Sequence, residues 1–220
     1  MPIVWIKDIA THTHLGLWKI CQEELSGDTY APNLLPRLSD KCATRRLEIA
    51  ATYALLYEMT GRKDITIGHE TSGKPFLQDA NGKISNCHIG VSHTLGYACL
   101  IISEDQPVAV DIEFRSDRVK RIAKRFMRKD ELCEMENQVH NGDTQLTLFL
   151  LHWCAKETVY KLYSDESLTF QNMRVCSIND IAETGSLRCQ NLINGETPSI
   201  HYIQNEDFVI TYCIKGDVSI

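Results

Sequence analysis

Glu157 and Lys161 lie one helical turn apart in Trp153-Cys154-Ala155-Lys156-Glu157-Thr158-Val159-Tyr160-Lys161. With Trp153, four residues before Glu157, they stack along one face of a helix. A carboxylate and an ammonium at this spacing can simply form an exposed ion pair, worth a few tenths of a kcal/mol. A second acidic pair gives them another use. In Pro107-Val108-Ala109-Val110-Asp111-Ile112-Glu113-Phe114 the apolar residues alternate with Ala109, Asp111 and Glu113, the period of a strand. Asp111 and Glu113 then point to the same side, roughly 6–7 Å apart, where like charges repel unless solvent or a cation lies between them. A solvated strand face is the plain alternative. With Glu157 added, three carboxylates could hold one Mg²⁺ and leave positions open for water and phosphate oxygens.

The elements that must carry these residues can be read outward from them. The run from Thr144 to Tyr163 contains neither Gly nor Pro and predicts one helix, with Leu146, Leu150, Trp153 and Val159 on its apolar side and Gly142-Asp143-Thr144 as the turn into it. Between strand and helix lies a basic segment: Arg115, Arg118, Lys120, Arg121, Lys124, Arg125, Arg128 and Lys129, with Val119, Ile122 and Phe126 forming one apolar side. That pattern predicts an amphipathic helix on the core, followed by a short helix from Lys129 to Asn137. Its basic side is either a solvated face or a surface for an acidic partner.

Upstream, Ile3 to Ile6 reads as a strand and Leu15 to Leu25 as a short helix, and His12 and His14 lack a third metal-ligand partner in sequence, which favours a surface loop. Pro32 and Pro36 mark a loop, Ser39 or Asp40 can cap a helix running to Thr60, and Gly61 stops it. Ile65 to Ile67 is a short strand, Glu70 to Leu77 a loop, and Ile84 to Val91 and Tyr97 to Ser103 a hairpin with Ser92 and His93 at its bend and Leu95-Gly96 at the turn. Downstream, Thr169 to Ile178, Ser186 to Asn191, Pro198 to Ile203 and Phe208 to Ile214 read as strands separated by Gly, Asn and Asp turns.

The 220 residues carry a net charge of -6, with a pI near 5.7. This argues against nucleic acid as the partner. Nine scattered cysteines without a Cys-x-x-Cys pair fit reduced thiols in a cytoplasmic protein. No apolar run is long enough to span a membrane, and Lys7 and Asp8 interrupt the first residues, so no signal peptide is expected. A monomer is expected.

"VAVDIEF" at Val108–Phe114 followed by "WCAKETVYK" at Trp153–Lys161 resembles the signature pair of the 4′-phosphopantetheinyl transferase superfamily. The length resembles its larger, two-lobed members, which activate peptide-synthetase and fatty-acid carrier proteins. A further family element, Gly-Lys-Pro followed by an Asn-x-Ser-His-Ser strand end, is matched by Gly73-Lys74-Pro75 and Gly90-Val91-Ser92-His93-Thr94. Here Gly90 replaces the usual Asn and Thr94 the final Ser. The resemblance runs from about Arg45 to Lys161.

It implies an α+β fold of two similar α/β lobes related by a pseudo-twofold, each a small antiparallel sheet packed by helices, with a ligand cleft between them. The lobes would span residues 1–104 and 105–220. It also implies Mg²⁺-dependent transfer of 4′-phosphopantetheine from coenzyme A to a serine of an apo acyl or peptidyl carrier protein. Asp111, Glu113 and Glu157 become the metal ligands, Glu157 also the acceptor of the serine proton, and Lys161 a balance for the phosphates. Arg46, Lys74, Ser92 and His93 become coenzyme A contacts. A second Arg that relatives often place one or two turns beyond Arg46 is absent, since Ala51 and Thr52 stand there. Two other classes share parts of this pattern. A metal-dependent phosphoester or nucleotide hydrolase would release phosphate or phosphopantetheine without modifying a protein. A non-catalytic carrier-binding relative would have no chemical need for all of Asp111, Glu113, Glu157 and Lys161.

Overall fold

A computed structural model describes residues 2–21, 41–138, 142–164, 167–176, 178 and 181–217. The chain divides into two compact units, Met1–Gln106 and Pro107–Ile220. Each is an antiparallel sheet packed by helix, so the protein is α+β. Among the described residues no helix is long and apolar enough to cross a membrane.

The first unit contains β1 (Ile3–Ala10), β2 (Thr13–Lys19), α1 (Ala43–Thr60), β3 (Thr66–His69), β4 (Pro75–Gln78), β5 (Ile84–Thr94) and β6 (Tyr97–Ser103). The strands form one sheet in the order β1-β2-β6-β5-β4-β3. Helix α1 buries Ala51, Ala54, Leu55 and Leu56 against Trp18, Ile89, Ala98 and Leu100 of the sheet. It ends where Gly61 takes a left-handed conformation (φ 68°) and donates its N–H to the Tyr57 carbonyl at 2.7 Å. Helix and sheet approach closely at Gly16, where a Cβ would lie 2.7 Å from Met59 Sδ and 2.8 Å from Leu55 Cδ1. The Leu15 to Leu25 helix is not formed: Thr13–Lys19 is a strand, and the residues beyond Cys21 fall outside the described set. β2 lies between β1 and β6 with Leu15, Leu17 and Trp18 all buried, so its apolar run is continuous and lacks the alternation that marks a half-exposed strand. The proposed caps Ser39 and Asp40 and the Pro32–Pro36 loop also lie outside the described residues. Residues 75–77, the end of the expected loop, pair together with Gln78 as β4 against β3 and β5.

The second unit contains β7 (Val108–Phe114), α2 (Arg118–Phe126), α3 (Lys129–Gln138), α4 (Gly142–Leu162), a 3₁₀ turn (Phe170–Asn172), β8 (Met173–Val175), β9 (Thr184–Asn191), β10 (Ser199–Gln204) and β11 (Phe208–Ile214). Its strand order is β7-β11-β10-β9-β8. The strand expected over Thr169 to Ile178 is shorter because Thr169 and Asn172 form a capping box, with the Thr169 hydroxyl 2.6 Å from Asn172 Oδ1, that holds a 3₁₀ turn first. Helix α4 packs on β7 and β11, burying Leu151, Cys154, Ala155 and Val159 with Ala109, Val209 and Cys213. Polar contacts fix its register on β11: the Thr158 and Thr211 hydroxyls are 2.7 Å apart, and the Cys154 thiol lies 3.9 Å from the Val209 carbonyl.

Candidate functional site

The register of β7 on β11 decides which way its acidic residues point. Ala109, Asp111 and Glu113 stand opposite Cys213, Thr211 and Val209, and Ala109, Val209 and Cys213 belong to the core that α4 closes. Residues paired across antiparallel strands share a face, so Asp111 and Glu113 lie under the helix and not on a solvated face. Asp111 is only 5% exposed. The turns of α4 meet them in sequence. Lys161 donates to Asp111 Oδ1 at 2.7 Å and to the Val110 carbonyl at 3.0 Å, while the Trp153 indole N–H donates to Glu113 Oε1 at 2.9 Å.

Glu157 lies between these two anchors along the helix, and its titration records its neighbours. Burial and the like charge of Asp111 push its carboxyl up to about 7, Lys161 opposes the rise, and Glu113 adds to it. Burial alone would lower the Lys161 ammonium, but Asp111 and then Glu157 outweigh it and hold the group above its ordinary value. The Cys154 thiol beneath the cluster is pushed well up by burial and by Asp111 and Glu113, which makes it inert as a nucleophile.

Three carboxylates against one ammonium leave two formal negative charges at one end of the helix–sheet layer. The donors are all oxygen, the hard set suited to a divalent cation that also takes water and phosphate oxygens. As the side chains stand, no group of three or more His, Cys, Asp or Glu among the described residues is arranged to hold a metal ion. Asp111 Oδ1 and Glu113 Oε1 are instead engaged by Lys161 and Trp153.

Lys156, the neighbour of Glu157, turns inward. Its ammonium is wholly buried with the Glu131 carboxylate at 2.6 Å, and it also donates to the carbonyls of Phe126 at 2.9 Å and Phe170 at 3.2 Å. Glu131 in turn accepts from the Arg128 N–H at the start of α3 and from the Val175 N–H of β8, both at 2.7 Å. Sequence reasoning left Lys156 without a role, because helical spacing says that it avoids the Glu157 face but not what it meets.

In the first unit, Ser92 and His93 are not at a bend. Both are inside β5, opposite Cys99 and Ala98, and the turn falls at Gly96 (φ 78°). Strand alternation therefore sends them to opposite faces. His93 shares the face of Ile89 and Val91, toward α1, where it meets Arg45 through a short contact at Nε2 and Glu48 at 3.4 Å through Nδ1. Arg45 also donates to Glu48 at 3.0 Å. Arg45 and Glu48 were missed from sequence; their three-residue spacing on a helix was the available signal. Arg46 is exposed on the same first turns. Lys74 is half-buried beside β4, and its charge, after burial, helps lower the His88 imidazole.

The basic segment divides by use. Val119, Ala123 and Phe126 bury one side of α2, and Arg118, Arg121, Lys124 and Arg125 are exposed on it. Arg115 instead pairs with Asp143 at 2.7 Å, and Arg128 with Asp130 at 3.0 Å.

No curated protein matches the chain. Residues 107–213, which hold the carboxylate cluster, the basic helix and α4, match the family model of the 4′-phosphopantetheinyl transferase superfamily.

Proposed function

We propose that the protein transfers 4′-phosphopantetheine from coenzyme A to a serine hydroxyl of an apo acyl or peptidyl carrier protein. The observation that carries this reading is the convergence of Asp111, Glu113 and Glu157 with Lys161 under α4, inside the segment that matches the superfamily. Asp111, Glu113 and Glu157 would hold Mg²⁺, and their excess of two negative charges is the fit for it. When bound, the ion supplies neutralisation of the charge that builds on pyrophosphate oxygens.

The chain's own groups do the rest. In the reaction the serine oxygen forms a bond to a pyrophosphate phosphorus, the bond to the leaving phosphate breaks, and adenosine 3′,5′-bisphosphate departs. Glu157, whose carboxyl burial and Asp111 raise in the metal-free protein, would accept the serine proton, directly or through a water. Lys161, kept protonated by Asp111 and Glu157, sets a fixed positive charge for phosphate oxygens. The resemblance makes Arg46, Lys74, Ser92 and His93 the coenzyme A contacts; Arg45 joins the His93 side of β5 through its contact with His93, whereas Ser92 is on the other face and is the weakest member of the set.

Intact-mass spectrometry of candidate apo-carriers incubated with coenzyme A, Mg²⁺ and this protein tests the reading. The expected result is a carrier heavier by one phosphopantetheine. Free phosphopantetheine or phosphate with no modified protein would instead establish a hydrolase.

Carrier proteins are typically acidic, and the exposed basic side of α2 gives them a complementary face. Reversing Arg121 and Arg125 to Glu is expected to raise the KM for carrier by about tenfold or more and to leave coenzyme A binding unchanged. An unmoved carrier KM in that variant would remove α2 from the docking surface.

A further inference from the structure

Trp153 reads from sequence as packing, and its ring does pack. The Phe126 ring meets it edge-on with centroids 5.1 Å apart, and the Phe170 ring lies at 5.3 Å on a tilt. Packing alone does not account for where the indole N–H is aimed. An indole offers one donor and no acceptor, and this one is directed at Glu113 Oε1 at 2.9 Å. A bond from a neutral donor to a carboxylate is charge-assisted and directional.

Glu113 is the penultimate residue of β7 and pairs with Val209 of β11, and its side chain is one methylene longer than that of Asp111. Trp153 is held on two sides by aromatic rings. Phe126 and Phe170 are in turn fixed through their carbonyls, both bound by the buried Lys156 ammonium. A donor packed between two aromatic rings thus meets the Glu113 carboxylate.

We propose that Trp153 is a positioning residue that orients the Glu113 carboxylate toward the cation site. This rests on the functional reading above, in which Glu113 is a ligand. Carboxylate ligands are commonly held by outer hydrogen bonds, and removing such a partner typically lowers metal affinity 10–100-fold. One carboxylate oxygen can accept the indole N–H while the group keeps further acceptor capacity for a cation.

The substitution Trp153→Phe keeps an aromatic ring between Phe126 and Phe170 and deletes the N–H. The experiment is a Mn²⁺ titration of the full chain with coenzyme A present, alongside coenzyme A binding without metal and thermal unfolding of the metal-free protein. W153F is expected to weaken Mn²⁺ binding by about 10–100-fold, with metal-free coenzyme A binding unchanged. In a Glu113→Ala background the same substitution is expected to change Mn²⁺ affinity no further, since the group it orients is gone. A merely structural role would lower the unfolding temperature without this dependence on Glu113.

Equal Mn²⁺ affinity in wild type and W153F overturns the inference and leaves the metal site standing. Absence of Mn²⁺ binding by the wild-type protein overturns the metal site itself. If W153F does not fold, the indole N–H signal of the wild-type protein serves in its place. It should exchange slowly with solvent and lose that protection in Glu113→Ala, and a signal indifferent to Glu113 overturns the proposal.

Discussion

Glu157→Gln is expected to lower turnover by about 10²–10⁴-fold while metal-free coenzyme A binding persists. The amide keeps the size and shape of the carboxyl but can neither take a proton nor carry charge. The same variant tests the electrostatics without any substrate. Burial and Asp111 raise the Glu157 carboxyl from 4.5 to about 7, so the folded state binds this proton more tightly than the unfolded chain does. The stability this contributes is complete below pH 4.5 and is lost as pH rises through about 7. That gap corresponds to at most about 3 kcal/mol. Urea unfolding of the metal-free wild type should therefore weaken between these pH values, whereas E157Q should be flatter and the more stable of the two at about pH 8. Mg²⁺ should restore the wild type at that pH and do less for the variant. Full turnover in E157Q would remove Glu157 from the chemistry, and a flat pH profile in the wild type would remove the like-charge cluster.

How far the site was legible follows from which periodicities determine contacts. The alternation through Val108–Ile112 marks a strand, and the four-residue steps of Trp153, Glu157 and Lys161 mark a helix face; both elements form. Neither period says that α4 covers the Asp111 side of β7, because that depends on β11 pairing with β7 from the far end of the chain. The same holds for Lys156. Its three acceptors come from Phe126, Glu131 and Phe170, none within the helix that carries it. Arg45 and Arg46 are indistinguishable by type, and only the strand register of His93 selects Arg45 as its neighbour. β2 does not read as a strand because its central run, residues 15–18, is buried on both faces and offers no period to detect.

Lys156→Met is expected to destabilise the protein by about 3–5 kcal/mol, with an unfolding temperature lower by about 10 °C or more. The wild-type lysine has its charge met, though burial still holds its ammonium below its ordinary value: each of its three N–H groups has an acceptor, and its charge faces Glu131 at 2.6 Å with both side chains 0% exposed. Methionine fills the volume but leaves Glu131 as a buried anion held by two backbone N–H groups, of Arg128 and Val175. That stranded charge, and not lost packing, sets the size of the effect.

Neutralising Glu131 as well should therefore recover part of the loss. The Glu131→Gln, Lys156→Met double variant is expected to be more stable than the sum of the single losses predicts, and a urea double-mutant cycle measures the difference. The introduced amide has one oxygen where the carboxylate has two, so it would still accept from one of the two backbone N–H groups and recovery stays incomplete. A loss under about 1 kcal/mol in the single variant would mean that the pair is solvated. The consequence reaches the site because Lys156 precedes Glu157 in α4 and binds the carbonyls of the two residues whose rings hold Trp153. Well below its unfolding temperature, K156M should therefore still bind coenzyme A but hold Mn²⁺ less tightly, through Trp153 and Glu113 rather than through any contact of its own.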